Sequence, residues 1–137
     1  MKNNQETKSE LTYEFEEELE MERSSESDRL TLLIKHDYYS SDTEHGRMLI
    51  KSFLETAADT QNIDKIILID SGVKLLKEDN PCFAILNEII SHNMPHVLCC
   101  KESLVSYGIS CPGFAEGASS GVLFLEMMES QRLITIE

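Results

Sequence analysis

Leu30-Thr31-Leu32-Leu33-Ile34 and Ile66-Ile67-Leu68-Ile69 decide the fold. Each is a short apolar run that stops abruptly in polar residues, Lys35-His36-Asp37 after the first and Asp70-Ser71-Gly72 after the second. Short runs of this kind suit strands covered on both faces, the habit of parallel sheets. Between them, Ser41-Asp42-Thr43-Glu44 has the S-x-x-E form of a capping box. It opens a helix that the 3.6-residue period predicts to bury Leu49, Ile50, Phe53, Leu54, Ala57 and Ala58. Asn80-Pro81 is expected to open a second helix, with Phe83, Leu86, Ile89 and Ile90 turned inward. A third strand, His96-Val97-Leu98-Cys99, follows Pro95, and a short helix from Glu102 to Tyr107 ends at Gly108. One short strand is expected near Phe114-Ala115, a helix over Gly121 to Met128, and a last strand at Leu133-Ile134-Thr135-Ile136. Strands alternating with helices predict an α/β fold, a three-layer α/β/α sandwich with a mainly parallel five-stranded sheet.

The remaining sequence bounds the function. The chain has 137 residues and a formal net charge of −13. That charge argues against nucleic acid, whose binders need basic patches, and against anionic membrane surfaces. No window approaches the roughly 18–20 apolar residues of a membrane span. The first ten residues hold no apolar run of the secretory kind, so the expected location is cytoplasmic and the four cysteines are expected as reduced thiols. The acid is uneven. Residues 1–29 carry four basic and ten acidic side chains and no Gly, Pro or Cys, against eight and fifteen in residues 30–137. Residues 1–29 therefore read as an acidic arm, disordered or weakly helical, and residues 30–137 as the folded domain. Within that domain Val122, Leu123, Phe124, Leu125, Met127 and Met128 wrap most of one helix. Such a helix must be covered on more than one side, either within its own domain or by a second subunit.

In open α/β sheets ligands gather beyond the carboxyl ends of the strands. Those ends are His36-Asp37, Asp70-Ser71-Gly72 and Cys99-Cys100. Cys100 stands out, because a cysteine directly before a helix meets backbone N–H groups and the positive end of the helix dipole, with Lys101 beside it. Both features favour the thiolate that attacks sulfur electrophiles. The plainer alternative is a small core hydrophobe, which is the expected role of Cys99 and Cys82. Cys111, before Pro112, could approach Cys100 as a resolving thiol. No metal is expected, since adjacent cysteines point apart in a strand and no C-x-x-C occurs among His96, Cys99, Cys100 and Cys111. No cofactor is expected either, as neither a Walker loop nor G-x-G-x-x-G is present. Asp37 and Asp70 suggest a phospho-receiver arrangement, but Leu133 to Glu137 supplies no lysine for it.

Four segments in order resemble the DsrE/DsrF-like proteins, above all the carboxyl-terminal domain of YedF-type, sulfurtransferase-like selenium-metabolism proteins. His45-Gly46-Arg47-Met48-Leu49-Ile50-Lys51-Ser52-Phe53-Leu54 is similar to that group's L-G-x-x-L-M-K-x-F-L helix, and Ser71-Gly72-Val73-Lys74-Leu75 to its N-S-G-V-K-L loop. Cys100 with Leu104, Tyr107 and Gly108 fits its C-G-T-C-L-x-x-Y-G turn, and Glu116-Gly117 through Ile136 follows its final loop, helix and strand. The resemblance implies a DsrE-like sandwich, a homo-oligomer, and persulfide sulfur carried on Cys100. Ser71 and Gly72 would offer backbone donors near that sulfur, and His36 or Asp70 would orient it. Partners would be a sulfur-donor or acceptor protein or a small thiol. Two departures stand against it: Ser103 replaces the second cysteine, and the acidic arm stands where YedF proteins carry a TusA-like domain with C-P-x-P. The competing reading is a DsrE-like binding or oligomerisation module without chemistry.

Overall fold

The computed structural model describes residues 29–137, so the acidic arm, Arg29 apart, lies outside the described residues. Five strands form one sheet there: β1 (Leu30–Ile34), β2 (Ile63–Leu68), β3 (His96–Cys100), β4 (Glu116–Ala118) and β5 (Arg132–Ile136). Their order is β4-β3-β2-β1-β5 and every neighbouring pair is parallel. Pairing in register sorts the side chains by face. Leu32, Ile66 and Val97 lie side by side on one face, Leu33, Ile67 and Leu98 on the other.

The strand boundaries shift most from the sequence reading at β2 and β4, while β3 and β5 each gain one residue, Cys100 and Arg132. β2 begins at Ile63 because Ile63 pairs with Leu30, although Asp64 and Lys65 interrupt the apolar run. β4 falls at Glu116–Ala118 rather than Phe114-Ala115. Glu-Gly-Ala has no strand propensity of its own; pairing with Leu98, Cys99 and Cys100 makes it a strand.

Helix α1 (Glu44–Ala58) is capped by Thr43, whose Oγ1 accepts from the Gly46 N–H at 3.0 Å. The expected cap, Ser41, instead bonds Thr43 Oγ1 within the preceding turn. The buried stripe is Gly46, Ile50, Leu54 and Ala58, spaced four apart, and Phe53 is left partly exposed against the edge of Tyr39. A 3₁₀ helix, Asp70–Leu76, follows β2 and buries Val73, Leu75 and Leu76. Helix α2 (Phe83–Asn93) starts three residues after Asn80, whose Oδ1 accepts the Cys82 N–H. It buries Ile85 in addition to Leu86 and Ile89, while Phe83 only leans on Phe114. Helix α3 (Lys101–Tyr107) ends at Gly108, which takes the left-handed conformation.

The two sheet faces are unequally covered. α1, α2, the 3₁₀ helix and Leu104 of α3 close over Leu32, Ile34, Ile66, Leu68, Val97 and Cys99. The other face carries Leu33, Ile67, Leu98, Cys100 and Ala118, covered by α4 (Ser120–Met128) through Leu123 and Met127. Besides that contact, Lys65 Nζ reaches Glu126 Oε1 at 2.8 Å, and Thr31 and Ser130 hydroxyls meet at 2.8 Å. The Lys65 hydrogen bond holds the Glu126 carboxyl below the usual glutamate value. Among the described residues, nothing covers the outer side of α4 completely. Val122, Phe124, Leu125 and Met128 stand 46, 60, 56 and 64% exposed.

Candidate functional site

The carboxyl ends of β1 and β2 are tied together by a polar network. Ser71, almost buried, places its Oγ 3.1 Å from His36 Nδ1 and accepts the Asp37 N–H at 3.3 Å. His36 also lies 3.6 Å from Asp70 Oδ2 and stacks on Tyr38 with ring centroids 4.6 Å apart. Asp70 takes a left-handed backbone, with φ of 51°, and its N–H donates to Ser103 Oγ at 2.8 Å. Its Oδ1 accepts from the Tyr107 hydroxyl at 2.9 Å, and that bond raises the Tyr107 pKa above the ordinary tyrosine value. The Lys74 ammonium caps the same ring, 4.9 Å from its centroid.

The structure brings His36, Asp70 and Ser71 together at the ends of β1 and β2. Gly72 adjoins them in a different capacity. Its N–H lies in hydrogen-bond range of the Ile69 carbonyl at 2.9 Å and the Lys35 carbonyl at 3.3 Å, so it is already spent inside the fold. Ser103 and Tyr107 complete the network without having been singled out for it. Tyr107 has a visible signal, the C-x-x-x-L-x-x-Y-G spacing from Cys100. Ser103 has none, because its partner is a backbone N–H, that of Asp70.

Cys100 ends β3 and is the N-cap residue of α3, with Ser103 one turn further on. Its side chain points to the α4 face of the sheet and is only 9% exposed. The sulfur does not cap α3; its hydrogen bond runs to Glu102 Oε1 at 3.3 Å. The expectation that helix N–H groups cradle the thiol is corrected accordingly: an extended Cys100 makes no side-chain cap bond and packs its side chain among Leu33, Ile67, Leu98 and Leu123. No hydrogen bond joins the sulfur to the His36, Asp70 and Ser71 network among the described residues, and the two are linked through Ser103 of the same turn.

Cys111 meets Cys99 and not Cys100. The two sulfurs are 3.5 Å apart, on the face opposite Cys100. Strand alternation causes this, since adjacent residues of β3 project to opposite sides. The same alternation separates Cys99 and Cys100, and the His96 Nε2 faces Glu116 Oε1 at 3.0 Å.

Two cavities lie in the wider surroundings of the site. One, of about 780 Å³, opens at the amino ends of the strands and is lined by Asp59, Gln61, Asn62, Asp64 and His92. A shallow depression of about 500 Å³ lies on α3, walled by Lys101, Glu102, Val105 and Ser106, next to Cys100 in the chain.

No family model and no curated protein sequence matches the chain. Eight solved chains share its architecture, including these two. The crystal structure of the ychN protein from E. coli superposes with a TM-score of 0.54 at 17% identity, covering 79% of this chain and 98% of that one. The fold is DsrE-like. A conserved protein of unknown function from Bacteroides thetaiotaomicron, BT1422, gives a TM-score of 0.54 at 16% identity, covering 82% of this chain and 97% of its own. No helix of the described residues is long and apolar enough to cross a membrane.

Proposed function

We propose that this DsrE-like protein carries sulfur as a persulfide on Cys100, in the manner of the YedF-type proteins its motifs resemble. The observation that carries the reading is the position of Cys100, at the carboxyl end of β3 and the start of α3, one turn from the network of His36, Ser71 and Asp70. The Cys100 thiolate attacks the terminal sulfur of a donor persulfide. The donor S–S bond breaks, a new S–S bond forms at Cys100, and the donor leaves as a thiolate. An acceptor thiolate then attacks the outer sulfur, which releases Cys100. Each transfer conserves electrons overall, so no cofactor is required. The shallow surface of Lys101, Val105 and Ser106 is where a donor or acceptor thiol would approach. Ser103, in the place of the family's second cysteine, is committed to Asp70, so the partner thiol comes from another molecule. Incubation with a low-molecular-weight persulfide donor is expected to add one sulfur atom to the wild type and none to Cys100→Ser, read by intact mass.

The same site supports a second reading. Cys100 is nearly buried and its S–H has a carboxylate acceptor in Glu102, which suits a binding or oligomerisation module. Absence of sulfur on either protein would favour that module.

Both readings share a homo-oligomer built on α4. Exposed Val122, Phe124, Leu125 and Met128 form an apolar surface on the outside of the thinner layer. We propose that a second copy covers it. Phe124→Asp is expected to convert the oligomer to a monomer in sedimentation analysis while leaving the helical content unchanged. A wild type that sediments as a monomer at high micromolar concentration refutes the interface.

A further inference from the structure

Cys99 and Cys111 are a thiol pair that no step of the sulfur reading uses. Their sulfurs stand 3.5 Å apart, and the two residues contrast in access. Cys99 is fully buried in the larger core, and Cys111 is exposed on the loop between α3 and β4. Backbone carbonyls fix both thiols: Cys99 Sγ lies 3.6 Å from the Glu116 oxygen, and Cys111 Sγ lies 3.4 Å from the Ala115 oxygen. A disulfide needs sulfurs about 2.05 Å apart, so about 1.5 Å must close. The loop can supply that movement, since Ser110, Cys111, Gly113 and Phe114 are exposed and nothing lies within 4 Å of where a Gly113 Cβ would stand.

We propose that Cys99 and Cys111 are a redox-active dithiol, a modification site at which a small-molecule disulfide oxidises the chain to an intramolecular Cys99–Cys111 disulfide. The exposed Cys111 reacts first. Its thiolate attacks one sulfur of the oxidant, forming a mixed disulfide and releasing one small thiol. Cys99 then gives up its proton and attacks the Cys111 sulfur, expelling the second small thiol. Two protein thiols and one small disulfide become one protein disulfide and two small thiols, so two electrons pass from the protein to the oxidant.

Burial, helped by contact with Cys111, pushes the Cys99 thiol up to about 12. The second step therefore depends on nearness, which the 3.5 Å separation of the sulfurs supplies by making the attack intramolecular. The product would tie the α3–β4 loop to β3 one residue before Cys100 and on the opposite face. Cys100 stays free, so the proposal stands whether or not Cys100 carries sulfur.

The test uses the full chain, folded, with oxidised glutathione. Free thiols are alkylated afterwards, and the protein is digested without reduction. Trypsin cuts after Lys101, which separates Cys99 from Cys111. The expected result is a loss of two hydrogens and one linkage between the two peptides, in the wild type and in Cys100→Ser, and no linkage in Cys111→Ser. Fragmentation of the linked wild-type peptides assigns the bond to Cys99 or Cys100 directly, should Cys100→Ser fail to fold. Linkage through Cys100, a lasting glutathione adduct on Cys111 without linkage, or no reaction would each overturn the proposal.

Discussion

Gly46→Ala is expected to destabilise the fold by about 3 kcal/mol or more, at the upper end of what overpacking costs. The usual effect of this substitution inside a helix is a gain of about 1 kcal/mol, because alanine loses less backbone entropy. Gly46 lies in the first turn of α1, and there the sign reverses. A Cβ at Gly46 would stand 2.0 Å from the Ser41 carbonyl oxygen and 2.8 Å from that of Tyr39. Both obstacles are backbone, so no rotamer relieves them. Residues 39–43 must move instead, and with them the Tyr39 N–H bond to the Gly46 carbonyl at 2.9 Å. At roughly 4–8 °C per kcal/mol for a domain near 100 residues, thermal unfolding should fall by well over 10 °C. An unchanged or raised midpoint would mean that α1 does not start against this turn.

Gly72→Ala is the second large effect, and it bears on the site. Its Cβ would lie 2.4 Å from the Ile34 carbonyl oxygen and 3.1 Å from the carbonyl carbon, both on the end of β1. Gly72 is there so that the 3₁₀ helix can lie directly on that strand end. The expected cost is again about 3 kcal/mol, since Ile34 is fully buried and β1 sits between β2 and β5. Because Ser71 bonds both His36 and the Asp37 N–H, displacement of the 3₁₀ helix should also loosen His36. A urea titration reads the first effect, and the His36 imidazole resonances read the second. A stable Gly72→Ala protein with altered ligand binding alone would restore the donor role that the sequence suggested for this glycine.

The architecture was legible because the strands announce themselves physically. Leu30–Ile34 and Ile66–Leu68 are apolar on both faces, and only a covered parallel strand tolerates that. The apolar circumference of α4 was equally plain, and its exposure follows from its being the one helix of the described residues on that face of the sheet. The elements misplaced were those whose signal is not local. Glu116–Ala118 is a strand by virtue of its neighbour β3, and Thr43 caps α1 because the turn at residues 39–43 decides where the helix begins.

The site divides in the same way. His36, Asp70 and Ser71 could be placed together from strand ends alone, since the rule for open sheets concerns topology. The partners of the two adjacent cysteines could not. Alternation says that Cys99 and Cys100 face opposite ways, but which of them meets Cys111 depends on where β4 lies and how the loop before it returns. Nor does the chain spell out that Glu102 would fold back onto the Cys100 sulfur instead of leaving it to the helix start.

The most direct test of sulfur carriage is the location of the sulfur. The wild-type chain is treated with a persulfide donor and alkylated, and its tryptic peptides are sequenced by mass spectrometry. Trypsin separates Cys111 from Cys100, and fragmentation distinguishes Cys100 from Cys99. The account predicts the alkylated persulfide on Cys100. A persulfide on Cys111 alone, or on none of the four cysteines, would contradict it.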